Sequence, residues 1–328
     1  MARMRITTHD FDGKPAWLLS APGGASALVA ARGATLLSWS PDGEVFSGYR
    51  NAAELEEAAG GRGLIEAPWV GPLAGGRYTW DGQSYQLEAD TSGRCLRVHD
   101  CEFQRERSAD ALILRAELPA VTGYPWPIGL QVVYALGDSS AGTHNLSVSV
   151  EVTNRGESCA PVALAWNGYM RFPQLASISK MSATVSARTK IAADAQGIPA
   201  PGDAALTGVS TPVEWPVLGA SRIDSTFTSL VPTSDGIVAT VLTDPARERD
   251  IILAQEPSEA PYVRLWTGDT LERGAREALL VAPASALPNA FNRSDQVGRV
   301  ALAPGQSRSL TVTISYPAGA SGAARKSN

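Results

Sequence analysis

The chain has 328 residues, 44% of them hydrophobic, with a net charge of −5 and an isoelectric point near 5.4. That length and apolar content suffice for one large domain or two ordinary ones. The acidic balance, with no basic cluster, excludes a general phosphate-binding surface and with it nucleic acid as a partner.

No run approaches the length of a membrane-spanning helix. The opening MARMRITTHDFDG carries basic residues with no apolar segment after them, so it is not read as a secretory signal. Four lysines among 28 basic residues leave 24 arginines, a bias that points to a GC-rich bacterial genome. Cys95, Cys101 and Cys159 form no Cys-x-x-Cys pair and have no histidine at zinc-ligand spacing, which favours free thiols in a reducing cytoplasm.

In chain order, residues 17–20, 27–31 and 34–40 are short apolar runs separated by Pro22-Gly23-Gly24, Gly33 and Pro41-Asp42-Gly43, the punctuation of an antiparallel meander. Residues 1–11 are expected to be an N-terminal extension. One helical turn is expected over 52–59, with Asn51 as N-cap and Gly60-Gly61 as its end. The stretch 68–87, PWVGPLAGGRYTWDGQSYQL, predicts a loop beside a pocket and then a hairpin, with Asp81-Gly82 as a type I′ turn.

Further on, 144–152 alternates cleanly, with Leu146, Val148, Val150 and Val152 on one face. Residues 177–216 lose periodicity and read as an irregular excursion, with a linker between two domains as the alternative. Strands resume at 236–243, 251–254, 262–267, 278–281 and 297–302, and 309–316 is expected to form a closing edge. Residues 317–328 hold nothing to bury and are expected to be a disordered tail. Many short strands with turn residues between them predict an all-β fold, an antiparallel sandwich or barrel.

Several segments, read in order, resemble the aldose 1-epimerase (galactose mutarotase) family. The hairpin at 68–87 is one. Leu96 to His99, Gly123-Tyr124-Pro125, Val152-Thr153-Asn154 with Ala160-Pro161-Val162, and Arg222-Ile223-Asp224 to Phe227 follow. LLVAPASALPNAFN at 279–292 with LAPGQS at 302–307 is the most specific. The resemblance implies a single large antiparallel β-sandwich over residues 12–316, with an open sugar-binding cleft.

Mutarotation removes a proton from the anomeric hydroxyl and protonates the ring oxygen. In the family a glutamate is the base and the second active-site histidine the acid, while the first histidine and an aspartate bind sugar hydroxyls. By resemblance His99 and Asp224 stand at the latter two positions, whereas the acid and base positions hold Asn167 and Ala282. The family's sugar-contacting Asn-Arg pair falls on Gly71 and Pro72. An asparagine transfers no proton at neutral pH, and an alanine neither donates nor accepts one.

Three roles follow. One is an isomerase-class enzyme acting on a pyranose or sugar-like polyol, with His99 and Asp224 recruited as its acid and base for a different isomerisation, ring closure or elimination. Another is a carbohydrate-binding protein without chemistry, in which Trp69, Trp166 and Trp266 stack on sugar faces. The third is a subunit or regulatory protein whose cleft is merely inherited. Arg77, Asn167 and Tyr169 complete the expected ligand contacts, with Tyr169 an alternative acid. Simpler readings stand beside these: a structural histidine at 99, a turn aspartate at 224, a hairpin arginine at 77 and a packed aromatic at 169. No nucleotide, flavin or metal signature is visible, so no cofactor is expected. The protein is expected to be a cytoplasmic monomer or homodimer.

Overall fold

In the computed structural model, which describes residues 3–87, 97–139 and 142–317, the strand Thr143–Asn154 alternates half-buried and buried side chains along its whole length. Leu146, Val148, Val150 and Val152 point inward. Strand Ser307–Pro317 lies antiparallel beside it and sets Ile314 opposite Leu146, Val312 opposite Val148 and Leu310 opposite Val150. Each such fully buried side chain stabilises the fold by about 1.5–3 kcal/mol relative to exposure. Ser307–Pro317 is not a closing edge, however, because it lies between Arg249–Gln255 and Thr143–Asn154. Alternation reports which face a side chain takes and is silent on how many neighbours the strand has.

These strands belong to a nine-stranded sheet running from Val213–Trp215 at one edge to Gln104–Glu106 at the other. An eight-stranded sheet packs against it, ordered Leu206–Gly208, Ala187–Ile191, Asp224–Leu230, Tyr262–Trp266, Leu279–Ala284, Ala165–Trp166, Ile65–Glu66, with Gly168–Met170 also paired to Leu279–Ala284. One continuous apolar core, with Val148, Val312, Phe227, Val263 and Val281 among its members, fills the space between them. The fold is an all-β antiparallel sandwich, and every pairing between its named strands is antiparallel.

A four-stranded meander, Arg5–Phe11, Lys14–Ser20, Ser26–Ala30 and Leu36–Ser40, opens the chain. Residues 5–11 are therefore no loose extension. They pair in register from Arg5 opposite Ser20 to Phe11 opposite Lys14, which puts His9 opposite Ala16. The helix Ala52–Glu56 is capped as its sequence requires, the Asn51 side chain accepting from the Glu54 amide. In the hairpin Arg77–Trp80 and Gln83–Gln86, Asp81 and Gly82 both take positive φ, 48° and 75°, as a type I′ turn demands.

The stretch 177–216 departs most from expectation. It supplies strands to both sheets: Ser182–Val185 and Val213–Trp215 to the nine-stranded one, Ala187–Ile191 and Leu206–Gly208 to the eight-stranded one. Strands of three to five residues built from Ser, Ala, Thr and Lys are too short to show a period in sequence. Cys101 and Cys159 are free thiols. Cys95 and the tail from residue 318 lie outside the described residues. Among the described residues no helix is long and apolar enough to cross a membrane.

Candidate functional site

The alternation that fills the core also decides what the eight-stranded sheet shows on its other face. In Tyr262–Trp266 the core takes Val263 and Leu265, which leaves Arg264 and Trp266 outward. In Asp224–Leu230 it takes Ser225 and Phe227, which leaves Asp224 and Thr226 outward. The register sets Asp224 opposite Trp266, Thr226 opposite Arg264, and Arg264 opposite Ala282, while Ala165 stands opposite both Ala284 and Glu66.

Over this face opens a cleft of about 680 Å³, within the size range of small-molecule sites. Its floor is made of small side chains, Ala165, Ala282, Ala284 and Ala286, and its walls come from residues 190–197, Gly71-Pro72 and Pro288. Glu66, Asn167, Lys190, Asp194, Asp224 and Arg264 bring polar groups to it.

Asp224 and Arg264 are held to each other, Nε donating to Oδ1 at 2.8 Å and Nη2 to Oδ2 at 3.0 Å. This is the bidentate arrangement that fixes a guanidinium and a carboxylate in one plane. Although 40% of the Arg264 side chain is exposed, desolvation weighs against its charge; the bond to Asp224 outweighs that, and Glu66 and Tyr169 add to it, so the guanidinium is held above its ordinary value. Glu66 is 8% exposed. Its Oε2 accepts from the Gly71 amide at 2.6 Å and its Oε1 from Asn167 Nδ2 at 3.2 Å. Asn167 Nδ2 also donates to the Gly61 carbonyl at 3.2 Å, and its backbone bonds to Leu64 and Gly63.

Of the residues singled out in sequence, Asn167 and Asp224 line this cleft and His99 does not. His99 is 1% exposed, lies beside Tyr49 and places Nε2 2.6 Å from the Leu55 carbonyl. None of these neighbours lines the cleft, so His99 and Asp224 are not brought together as an acid and base. Its ring is taken up in anchoring the helix Ala52–Glu56. Trp166 is wholly buried and stacks on Phe46, and Trp69 is buried against Tyr124, so neither ring faces a sugar. Arg77 is exposed on the hairpin and donates to Gln86. Tyr169 is 1% exposed and donates to the Gly60 carbonyl. Trp266 is half-buried on the cleft face of the sheet, with the Arg264 guanidinium 5.7 Å from its ring, and forms a ledge beside the cleft, not its wall.

The environment of His99 has a measurable consequence. A carbonyl only accepts, so Nε2 carries the hydrogen, while Nδ1 is buried with no hydrogen-bond partner among the described residues. Burial, and after it the charge of Arg32, holds the imidazole below its ordinary value. The unfolded chain therefore takes up a proton that the fold refuses. The stability this contributes is complete above the unfolded value of about 6.5 and is lost as pH falls below it. The urea midpoint of the wild type is expected to fall between pH 7 and pH 5 more steeply than that of His99→Gln; equal slopes would contradict this.

The sequence profile of aldose 1-epimerase matches residues 15–315. The chain belongs to the aldose 1-epimerase family. Among its relatives is an uncharacterized Escherichia coli protein, YihR, 27% identical over 235 residues that make up 70% of this chain and 71% of that one. Its fold is similar to a GalM/aldose epimerase homologue from C. elegans, with a TM-score of 0.77, 14% identity and coverage of 92% and 98% of the two chains. A galactose 1-epimerase from Lactobacillus acidophilus superposes with a TM-score of 0.76, 14% identity and 97% and 100% coverage.

For this aldose 1-epimerase family member, Glu66, Lys190, Asp194 and Arg264 are charged cleft residues that sequence reading passed over. One signal was available for Glu66: it is a lone carboxylate between Ile65 and Ala67, both of which are buried. Arg264 looked like any outward residue of an alternating strand. Only the register, which brings Asp224 from 40 residues away, reveals it.

Proposed function

We propose that the protein binds a pyranose or sugar-like polyol in the cleft over Ala282 and acts on it as an isomerase-class enzyme whose acid and base differ from those the family resemblance implies. The observation that carries this is the pairing of an apolar floor with a polar surround. A pyranose has a C–H face that suits Ala165, Ala282 and Ala284, and a rim of hydroxyls that need both donors and acceptors. Arg264 is an oriented donor, while Glu66 and Asp224 are acceptors held by other bonds before any ligand arrives. Such preorganisation lowers the cost of ordering the site on binding. A solved neighbour described as galactose 1-epimerase supports an aldose as the ligand class.

The alternative, a sugar-binding protein without chemistry, is favoured by one observation: the positions given by resemblance to the family's acid and base hold Asn167 and Ala282. Proton NMR on a panel of aldoses and cyclic polyols, each aldose started from a pure anomer, separates the two. Broadened sugar resonances together with a faster return to anomeric equilibrium are expected. Broadening without acceleration would establish the binding protein, and neither effect across the panel would overturn both readings.

A further inference from the structure

We propose that Glu66 is the proton carrier of this site, a single carboxylate that takes the proton of the anomeric hydroxyl and delivers it to the ring oxygen, with Asn167 as its positioning residue. The proposal rests on the reading that the cleft holds a pyranose.

Glu66 ends the two-residue strand Ile65–Glu66, in a run where Leu64, Ile65 and Ala67 are buried for packing. A carboxylate at 8% exposure needs its hydrogen bonds supplied by the protein, and a cationic partner is the usual structural solution. Glu66 forms no ion pair among the described residues. It is held instead by two neutral donors, the Gly71 amide at 2.6 Å on one oxygen and Asn167 Nδ2 at 3.2 Å on the other. Each carboxylate oxygen retains a further acceptor site. The other cleft carboxylates are committed elsewhere: Asp224 uses both oxygens on Arg264, and Asp194 Oδ1 accepts from the Gln196 and Ile198 amides of its own turn.

Asn167 explains why an asparagine serves here. Its amide nitrogen faces two acceptors, the Gly61 carbonyl and Glu66 Oε1, both at 3.2 Å. Turned over, the amide would set its oxygen against both. The residue thus holds the carboxylate at one orientation while carrying no proton itself.

In the step this assigns, a Glu66 oxygen accepts the proton from O1, and the O1–H electron pair becomes the second bond of a C1=O1 carbonyl. The C1–O5 bond breaks with its pair on O5, and O5 takes the proton from the Glu66 carboxyl. Glu66 is again a carboxylate and the sugar is an open-chain aldehyde, with nothing oxidised or reduced. Rotation about C1–C2 and the same steps reversed give the other anomer. O1 and O5 are both bonded to C1, so one carboxylate placed against C1 reaches both.

The test uses the panel aldose whose interconversion the wild type accelerates most. Glu66→Gln keeps the side chain's size and is expected to slow the accelerated component by about 10²–10⁴-fold, while saturable sugar binding persists in NMR titration. Glu66→Asp, which keeps the carboxylate, is expected to fall between the two. Asn167→Ala is expected to lower kcat with little change in KM, because it frees the carboxylate without removing a sugar contact. If Glu66→Gln binds the sugar and interconverts it within threefold of the wild-type rate, the proposal is overturned while the wider functional reading stands. A wild type that accelerates no sugar overturns both.

Discussion

Trp166→Ala is expected to lower the unfolding free energy by about 3–5 kcal/mol, the range for removing a large aromatic from a packed core. The side chain is fully buried, with its ring 6.1 Å from that of Phe46 at an interplanar angle of 22°. It also lies so close to Gly168 that a β-carbon there would meet the ring at 2.7 Å, which leaves no larger neighbour to fill the space left behind. Its strand, Ala165–Trp166, is wedged between Ile65–Glu66 and Leu279–Ala284, so the cavity would open beneath the backbone that presents Asn167 and Glu66. Urea unfolding followed by tryptophan fluorescence and circular dichroism measures this, and a loss below about 1 kcal/mol would show that the sheet does not depend on the ring.

The same tryptophan shows what sequence could and could not reveal. Its neighbour Asn167 was placed in the site by resemblance, and from sequence Trp166 read equally as a stacking platform. The period of two decides otherwise: Ala165 and Asn167 face the cleft, and the residue between them must face the core. Local signals were legible wherever the physics is local. Asp81-Gly82 fixes its hairpin because two consecutive positive φ angles suit few other residue pairs, and Asn51 caps its helix through a bond three residues long.

The long alternating strands were legible because twelve residues of one period leave little room for another reading. What escaped was anything set by register. Ser307–Pro317 shows the same alternation at an edge or in the middle of a sheet, and the short strands within 177–216 acquire meaning only from the neighbours they pair with. The cleft is a register property too. Glu66, Arg264 and Ala282 lie on three separate strands, and nothing within any one of them announces the others.

Ala282→Phe is expected to abolish sugar binding, raising the dissociation constant at least about 100-fold. Ala282 lies on the cleft floor directly opposite Arg264, in a small apolar cluster with Tyr169, Ala278 and Leu280, so a benzyl group added there must project over the floor. It would take the place of the sugar ring over the floor and crowd the Arg264 guanidinium away from Asp224. Displacing a ligand from its apolar floor and from one charged hydrogen bond together amounts to about 3 kcal/mol or more, which is the 100-fold.

Saturation-transfer NMR of a pyranose with wild type and Ala282→Phe side by side, at matched melting temperature, therefore tests most directly whether this cleft is the sugar site. Transfer to the ring protons in the wild type and its loss in the variant is the predicted result. Equal transfer in both proteins would place the sugar elsewhere and contradict the account.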